Sequence, residues 1–268
     1  MPGACSPRNC NTTSLLKGSP KRSIGFASSS PTANKPRDLL MQTVSKRQET
    51  HEFVWFDSQG KKRVFPFLCY QPSAFQAEAK LPLLVFLHGA GERGTDLELV
   101  KKHGPPKLID QGEDLPFVTV SPQCPLDQWW AMHENINGLV QLTQYIQSEY
   151  AVDTDRTYLT GLSMGGYGTW ATAAAYPGLF TAIIPICGGA DMATAANLKS
   201  TPAWAFHGRD DEIVPLIRSE EIVNAVSEIG GDSRLTIYDN VQHDSWSETY
   251  ANQKIYDWLL SHKIRNRS

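Results

Sequence analysis

Short, continuous runs of apolar residues recur along the chain from residue 81 onward. Continuous rather than alternating runs are typical of strands that are buried on both faces of a parallel sheet. Upstream of them, His51–Asp57 and Arg63–Tyr70 are rich in Val, Phe, Trp and Tyr and flank Ser58-Gln59-Gly60, a pattern that predicts a β-hairpin. The apolar runs predict further strands at Leu81–Leu87, Phe117–Ser121, Thr157–Gly161, Ala182–Cys187, Ala203–Phe206 and Arg234–Tyr238.

Stretches with helical character lie between these strands. They cover Glu134–Tyr150, Gly165–Tyr176, Pro215–Ile229 and Glu248–Ser261. Because strand and helix alternate, the predicted fold class is α/β, with a mostly parallel central sheet flanked by helices and joined by right-handed crossovers. Ligands bind at the carboxyl ends of the strands in such a sheet, so the residues that follow each strand are the candidates for chemistry.

Residues 1–45 do not share this pattern and are predicted to form a tail outside one globular domain of residues 46–268. The first 40 residues contain seven Ser and five Pro, too little apolar surface to form a core. Their basic, acid-poor character overlaps with organelle transit peptides, but a disordered tail or a start at Met41 is favoured. They contain no apolar segment of a secretory signal, so a cytoplasmic location is favoured.

Charge is divided unevenly along the chain. Residues 1–50 carry a net charge of +6 and the remaining 218 residues a net charge of −9. An acidic globular part argues against nucleic acid as a partner, and no apolar run reaches the roughly 20 residues that a membrane span needs. Of five cysteines, Cys69, Cys124 and Cys187 lie in apolar stretches and are predicted to be buried thiols; no spacing suggests a metal site.

The stretch from Gly161 to Gly165 has the sequence Gly-Leu-Ser-Met-Gly, between a predicted strand and a helix of small residues. This is a G-x-S-x-G motif in the context that its chemistry requires. The glycines permit a sharp, strained turn, and the turn presents the Ser163 hydroxyl at a helix N-terminus, where backbone amides favour developing negative charge. The motif therefore predicts Ser163 as a nucleophile.

Three further motifs follow predicted strands in the same manner. They are His88–Gly94 (H-G-A-G-E-R-G), the stretch Trp204–Pro215 that contains H-G-R-D-D-E-I-V-P, and Val241–Trp246 around His243. Together with the serine motif, and in this order, they resemble those of α/β-hydrolases. The resemblance is to the esterase and predicted-peptidase group related to phospholipase/carboxylesterases and dienelactone hydrolases, and it covers about residues 50–262.

The resemblance implies a Ser-His-Asp triad of Ser163, His243 and Asp211, with Asp210 as the less favoured acid. It also implies that the backbone amides of Met164 and Ala90 form an oxyanion hole, with Gly91 as the second choice for Ala90. Residues 46–268 then form the catalytic domain. The short stretch from Gly189 to Pro202 leaves no room for a large cap domain.

Other residues in these motifs receive weaker assignments. His88 and His207 are expected to be structural and Asp191 a turn residue. Glu92 and Arg93 could pair to hold their loop, and a solvated pair is the open alternative. Trp129 and Trp130 are predicted to line an acyl site, with a core role for one or both left open. The histidines at other positions, which are expected to be solvated or packed, are His51, His103, His133 and His262.

The resulting prediction is a serine carboxylic-ester hydrolase that forms an acyl-enzyme from short-to-medium-chain or aryl esters. Its expected partner is a small-molecule ester, and no metal or organic cofactor is expected. The oligomeric state stays open. A serine peptidase of prolyl-oligopeptidase-like type, an acyltransferase and a non-catalytic ligand-binding protein on the same fold remain as alternatives, because fold alone does not define function.

Overall fold

The computed structural model describes residues 47–72 and 80–264. The tail predicted for residues 1–45 lies outside the described residues. Within them, eight strands form one sheet in the order β1-β2-β4-β3-β5-β6-β7-β8. The strands are β1 (Gln48–Phe56), β2 (Lys62–Tyr70), β3 (Leu81–Leu87), β4 (Val118–Pro122), β5 (Val152–Leu162), β6 (Ala182–Ile186), β7 (Ala203–Gly208) and β8 (Ser233–Tyr238).

The sheet is mostly parallel, as predicted. Strands β1 and β2 form the expected antiparallel hairpin, and β2 also runs antiparallel to β4. The remaining neighbours, from β4 through β3 to β8, are parallel. Every apolar run that predicts a strand forms one, and β5 begins five residues earlier than predicted, at Val152.

Seven α-helices cover the sheet in the described ranges. They are α1 (Gly104–Asp110), α2 (His133–Glu149), α3 (Met164–Ala175), α4 (Ala195–Leu198), α5 (Ile217–Glu228), α6 (Trp246–Ala251) and α7 (Gln253–Ser261), with 3₁₀ turns at Ala90–Glu92, Leu97–Lys102 and Met192–Thr194. The helix α1 is not in the sequence prediction. No helix of the described part of the chain combines the length and apolar character that a membrane crossing demands.

The prediction of one helix over Glu248–Ser261 is wrong, because two helices occupy this region. Asn252 lies between them with an extended backbone (φ −89°, ψ 107°), and its side chain accepts a hydrogen bond from the Lys254 N–H. An Asn that caps a helix in this way satisfies an amide that has no partner within the helix. The chain therefore begins a new helix, α7, after Asn252 instead of continuing α6.

Both faces of the sheet are covered, which explains the continuous apolar runs. Along β3, Leu83 and Val85 pack into the cluster that includes residues of α2, α3 and α5. Leu84 and Phe86 point to the other face and pack with residues of α6 and α7. Full burial of each such side chain contributes roughly 1.5–3 kcal/mol to folding, so the central strands anchor the whole domain.

The connections between strands stay small. Between β6 and β7 the chain forms only a 3₁₀ turn, Met192–Thr194, and the four-residue helix α4. Across the described ranges 47–72 and 80–264 there is no large cap domain, as predicted, and the carboxyl end of the sheet is left open.

Gly138 on α2 provides a test of how this helix packs on the hairpin. A Cβ atom here would lie 2.5 Å from the Trp55 ring and 2.6 Å from the Phe65 ring. Gly-to-Ala changes inside helices normally stabilise by roughly 1 kcal/mol. Gly138→Ala is instead expected to lower the free energy of unfolding by about 1–3 kcal/mol through overpacking, measured by urea denaturation.

The matched control is Gln141→Ala, on the exposed face of the same helix, which should change stability little. A Gly138→Ala protein more stable than wild type would show that α2 does not pack on the hairpin in this way.

Candidate active site

Ser163 lies in the sharp turn between β5 and α3. Its backbone has φ 52° and ψ −116°, a left-handed conformation that a non-glycine residue adopts only under strain. The flanking glycines permit close approach of backbone to backbone. A Cβ atom at Gly165 would lie 2.6 Å from the carbonyl carbon of Leu87, and one at Gly161 would lie 2.8 Å from the oxygen of that carbonyl. The turn therefore packs directly on the end of β3.

The structure brings Ser163, His243 and Asp211 together. His243 Nε2 lies 3.0 Å from Ser163 Oγ, and His243 Nδ1 lies 2.7 Å from Asp211 Oδ2. These three residues come from loops that follow three different parallel strands, β5, β7 and β8. Asp210 is exposed, and its backbone N–H donates to the carbonyl of Val241.

Asp211 is held in place by backbone amides. Its Oδ1 accepts hydrogen bonds from the N–H groups of Ile213 (2.9 Å) and Val214 (2.8 Å), so Oδ2 is left to face His243. A buried carboxylate in this position keeps the imidazole proton on Nδ1. The lone pair of Nε2 then faces the serine hydroxyl.

His207 lies beside Asp211 and has the expected structural role. It is fully buried, and its ring nitrogens lie 2.7 Å from Ser219 Oγ and 2.8 Å from the Val214 carbonyl oxygen. Burial lowers the pKa of His207, which favours the neutral imidazole.

The loop that carries His243 lies against Gly208, the residue after His207. A Cβ atom at Gly208 would lie 2.9 Å from the carbonyl carbon of Val241. His207 and Gly208, at the end of β7, therefore have separate roles. His207 packs in the core, and Gly208 leaves space for the loop that carries His243.

The two amides predicted for the oxyanion hole each begin a helix. Ala90 starts the 3₁₀ turn after β3, and Met164 starts α3. The first amides of a helix have no carbonyl partner within it, so they are available to an anion. The loop of Ala90 also lies against the Ser163 turn, because a Cβ atom at Gly89 would lie 3.8 Å from Ser163 Cβ.

Buried side chains fasten the Ala90 loop to the segment after β4. His88 Nε2 accepts the Cys124 N–H (2.9 Å), and its Nδ1 lies 2.6 Å from the Gly89 carbonyl oxygen, which confirms a structural histidine. Gln123 Nε2 donates to the carbonyls of Glu92 and Asp96, both at 2.8 Å. The sequence does not predict that Gln123 holds this loop. The one indication it offers is a single amide side chain within an apolar stretch.

Glu92 and Arg93 have different partners, so the pairing that the sequence leaves open is not formed. Arg93 Nε donates to the Ala90 carbonyl (2.9 Å), and its guanidinium lies 5.1 Å from the ring centre of Trp129. Glu92 is buried, and its Oε1 lies 3.8 Å from His103 Nε2. The tight 3₁₀ turn sends the two side chains to different surroundings.

The prediction that Trp130 lines the substrate site is also wrong. Its side chain is fully buried in the core against Phe65 and His88, and its Nε1 donates to the His88 carbonyl at 3.0 Å. Trp130 thus supports the Ala90 loop from below. Trp129 is half exposed, so its role in an acyl site stays a prediction.

Cys187 lies behind the triad with a left-handed backbone (φ 40°). Burial raises the pKa of its thiol well above the ordinary value, so the thiol stays protonated. Its sulfur and the polar atoms of Asp211 and His243 lie within 4.8 Å of one another, the one group of this kind among the described residues. Since Asp211 and His243 already share a hydrogen bond, a metal ion here would have to break the triad.

Two cavities lie at this end of the sheet. The first, of about 250 Å³, is lined by Ser163 and His243, whereas Asp211 is buried behind them. Its lining includes Ser163, His243, Ala90, Glu92, His103 and Trp246. The second, of about 420 Å³, lies beside α3, and its lining includes Tyr167, one helical turn after Ser163. Small and apolar residues dominate its lining, among them Ile136, Ala171, Ala174 and Ala190.

His103 packs against the Trp246 ring, which fits the expected packing role, and it also lines the cavity that contains Ser163, which the sequence does not predict. Trp246 and Tyr167, which line the two cavities, are likewise not among the residues that the sequence singles out. His103 precedes α1 and Trp246 begins α6, so tertiary packing brings them to the Ser163 turn, whereas Tyr167 lies one helical turn after Ser163 on α3. The other histidines fit expectation: His51 stacks on Phe67, and His133 is exposed.

Comparison with known proteins identifies the family. Residues 116–261, more than half of the chain, match the family model of phospholipase/carboxylesterase. The protein belongs to this family of α/β-hydrolases. The matched segment contains Ser163, Asp211 and His243, whereas Ala90 lies before it.

Individual relatives include esterases. A crystal structure of a thermostable esterase is 34% identical, with a TM-score of 0.69, over 80% of this chain and 63% of that chain. Feruloyl esterase B of Neurospora crassa is 28% identical over 134 residues, which is 46% of this chain and 44% of its own. The acylaminoacyl peptidase of Pyrococcus horikoshii shares the fold at 17% identity and a TM-score of 0.60, over 83% of this chain and 43% of that chain. The chain spans less than half the length of the curated relatives that it matches.

The environment of His88 leads to a pH-dependent prediction. Burial lowers its pKa from 6.5 to about 4, so between these values the unfolded chain binds a proton that the folded chain does not. The free energy of unfolding should therefore fall as the pH is lowered from about 6.5 to about 4, with about 3 kcal/mol from this residue. Urea denaturation across this range measures the slope.

His88→Gln is the informative comparison, because an amide oxygen can accept the Cys124 N–H without titrating. Its stability should start lower at neutral pH and fall less steeply with acid than that of wild type. Parallel slopes for the two proteins would contradict a neutral, buried His88.

Proposed function

We propose that this protein is a serine carboxylesterase that cleaves esters by two-step acyl transfer. The observation that carries the proposal is the hydrogen-bonded chain Ser163–His243–Asp211, with distances of 3.0 and 2.7 Å, whose first two members line a cavity of about 250 Å³. Membership of the phospholipase/carboxylesterase family supports the same reaction class.

In the first step, His243 Nε2 takes the proton of Ser163 as the serine oxygen attacks the ester carbonyl. The amides of Ala90 and Met164 donate to the oxyanion that forms. Asp211 stabilises the imidazolium, and two backbone amides hold the Asp211 carboxylate in position. His243 then gives its proton to the leaving alcohol, and an acyl-serine remains.

Water completes the reaction by the same route. His243 removes a proton from the water molecule, which attacks the acyl carbonyl, and the oxyanion forms again beside the same two amides. When the intermediate collapses, Ser163 recovers its proton from His243 and the carboxylic acid departs.

The apolar cavity beside α3 suits the acyl portion of the ester. Its volume of about 420 Å³ lies in the range of small-molecule sites, and its lining includes Tyr167, whose backbone N–H donates to the Ser163 carbonyl one helical turn earlier. Short-to-medium-chain and aryl acyl groups are the proposed substrates. Trp129, exposed beside Arg93, is retained as a candidate contact at the rim.

Removal of the nucleophile tests the mechanism. Ser163→Ala should lower kcat/KM for p-nitrophenyl butyrate by a factor on the order of 10⁴–10⁶, with the thermal midpoint nearly unchanged because Cβ and the turn are retained. Initial rates and a thermal scan are the two measurements.

The control for this change is Ser148→Ala, an exposed serine on α2, which should keep the wild-type rate. Substantial ester turnover by Ser163→Ala would eliminate Ser163 as the nucleophile.

The identity of the acid is tested by two neighbouring changes. Asp211→Asn should reduce kcat by roughly 10⁴-fold, because the imidazole loses its orienting charge. Asp210→Asn should stay within a few-fold of wild type, since this side chain is exposed. Steady-state kinetics of both variants with one ester give the comparison, and a larger loss at Asp210 would reverse the assignment.

A serine peptidase is the second candidate, favoured by the shared fold with the acylaminoacyl peptidase. The test compares p-nitrophenyl esters of increasing acyl length with a peptide p-nitroanilide, each with wild type and Ser163→Ala. Serine-dependent anilide turnover with weak ester turnover would replace the esterase by the peptidase. Product analysis with added alcohol separates hydrolysis from acyl transfer. Absence of turnover with every substrate favours a binding protein.

A further inference from the structure

Two polar side chains in the catalytic cavity have no part in the triad. Glu92 belongs to the 3₁₀ turn that carries Ala90, and His103 precedes α1. Both line the same cavity of about 250 Å³ as Ser163 and His243. The carboxylate of Glu92 is largely buried, which is costly for a charged group unless polar partners compensate it.

Trp246 fixes the orientation of His103. The indole N–H of Trp246 can only donate, and it lies 3.3 Å from His103 Nδ1, so this nitrogen is the acceptor. In the neutral imidazole the proton is then on Nε2, the nitrogen that faces Glu92.

Donor and acceptor face each other across a gap. His103 Nε2 lies 3.8 Å from Glu92 Oε1, beyond the length of a direct N–H···O hydrogen bond, about 3.2 Å. An oxygen atom about 2.8 Å from both would bridge them. It would have to accept from the imidazole N–H and donate to the carboxylate. A hydroxyl group has both capacities, whereas an ether, a carbonyl or an alkyl group lacks at least one.

The gap lies toward the alcohol side of the proposed reaction. His243 delivers its proton to the leaving oxygen, so the groups around His243 surround the alcohol portion of an ester. The Trp246 ring contacts both histidines, with ring centres 5.1 Å from His243 and 5.4 Å from His103. The cavity thus continues from the leaving oxygen along Trp246 to the pair of Glu92 and His103.

We infer that Glu92 and His103 form a subsite for a hydroxyl group on the alcohol portion of the substrate. The natural substrates are then esters of polyhydroxylated alcohols, such as polyols or sugars, rather than of simple alkyl alcohols. This inference rests on the proposed esterase activity. A hydrogen bond to a charged group corresponds to about 10- to 100-fold in rate or affinity, because an analogue without the hydroxyl leaves the buried carboxylate uncompensated.

The test uses two esters of nearly the same size. In 2-hydroxyethyl butyrate a hydroxyl replaces the terminal methyl of n-propyl butyrate, and the acyl group is identical. Wild type should hydrolyse the hydroxyethyl ester with a kcat/KM at least about 10-fold higher, measured by titration of the released acid. In Glu92→Gln and His103→Phe the ratio should fall to near one, mainly through slower hydrolysis of the hydroxyethyl ester.

His133→Phe, a change at an exposed histidine on α2, is the matched control and should keep the wild-type ratio. A ratio near one in wild type would overturn the subsite, as would a preference that persists in both variants. Equal losses on both esters together with a lower thermal midpoint would also overturn it, because Glu92 and His103 would then only hold the loop.

Failure of the subsite and failure of the esterase proposal give different results. Serine-dependent hydrolysis of p-nitrophenyl butyrate with a ratio near one rejects the subsite alone. No turnover of p-nitrophenyl butyrate or of either alkyl ester rejects the esterase and the subsite with it.

Discussion

Backbone packs directly on backbone where the Ser163 turn meets the end of β3. Side chains at Gly161 or Gly165 would overlap the peptide group of Leu87, so only glycine allows the two segments to touch. This contact fixes Ser163 relative to the loop that begins at His88 and carries Ala90. Side chains elsewhere in the domain can adjust by repacking. The distance between the Ser163 turn and the end of β3, in contrast, is set by main-chain atoms. The candidate nucleophile and both candidate oxyanion donors therefore depend on one rigid junction.

The triad is built from segments that lie far apart in the sequence, and each segment is anchored before it meets the others. The Ile213 and Val214 amides hold Asp211, the close contact with Gly208 seats the loop of His243, and Gln123 fastens the loop of Ala90. Such anchoring limits the motion of the reacting groups, which is what electrostatic stabilisation of a transition state requires.

The strands, the fold class and the positions of Ser163, Asp211 and His243 could be predicted because each depends on local pattern: a buried run followed by a characteristic loop. The failures have a different cause. Trp130 and Trp129 are neighbours with the same chemistry, yet one fills the core and the other is exposed. Glu92 and Arg93 likewise separate, and His103 reaches the cavity only through the placement of α1. Side-chain direction in irregular loops depends on tertiary packing, which no sequence period encodes.

Trp246 sits at the start of α6, three residues after His243, and its ring touches both His243 and His103. Any displacement of α6 would shift the ring that contacts both His103 and His243, the proposed proton donor to the leaving group. In the course of evolution, alcohol preference and turnover would therefore change together, because a substitution that shifts the Trp246 ring alters its contacts with His103 and with His243 at the same time. Divergence among relatives should then proceed by paired replacements around α6 rather than by independent single ones.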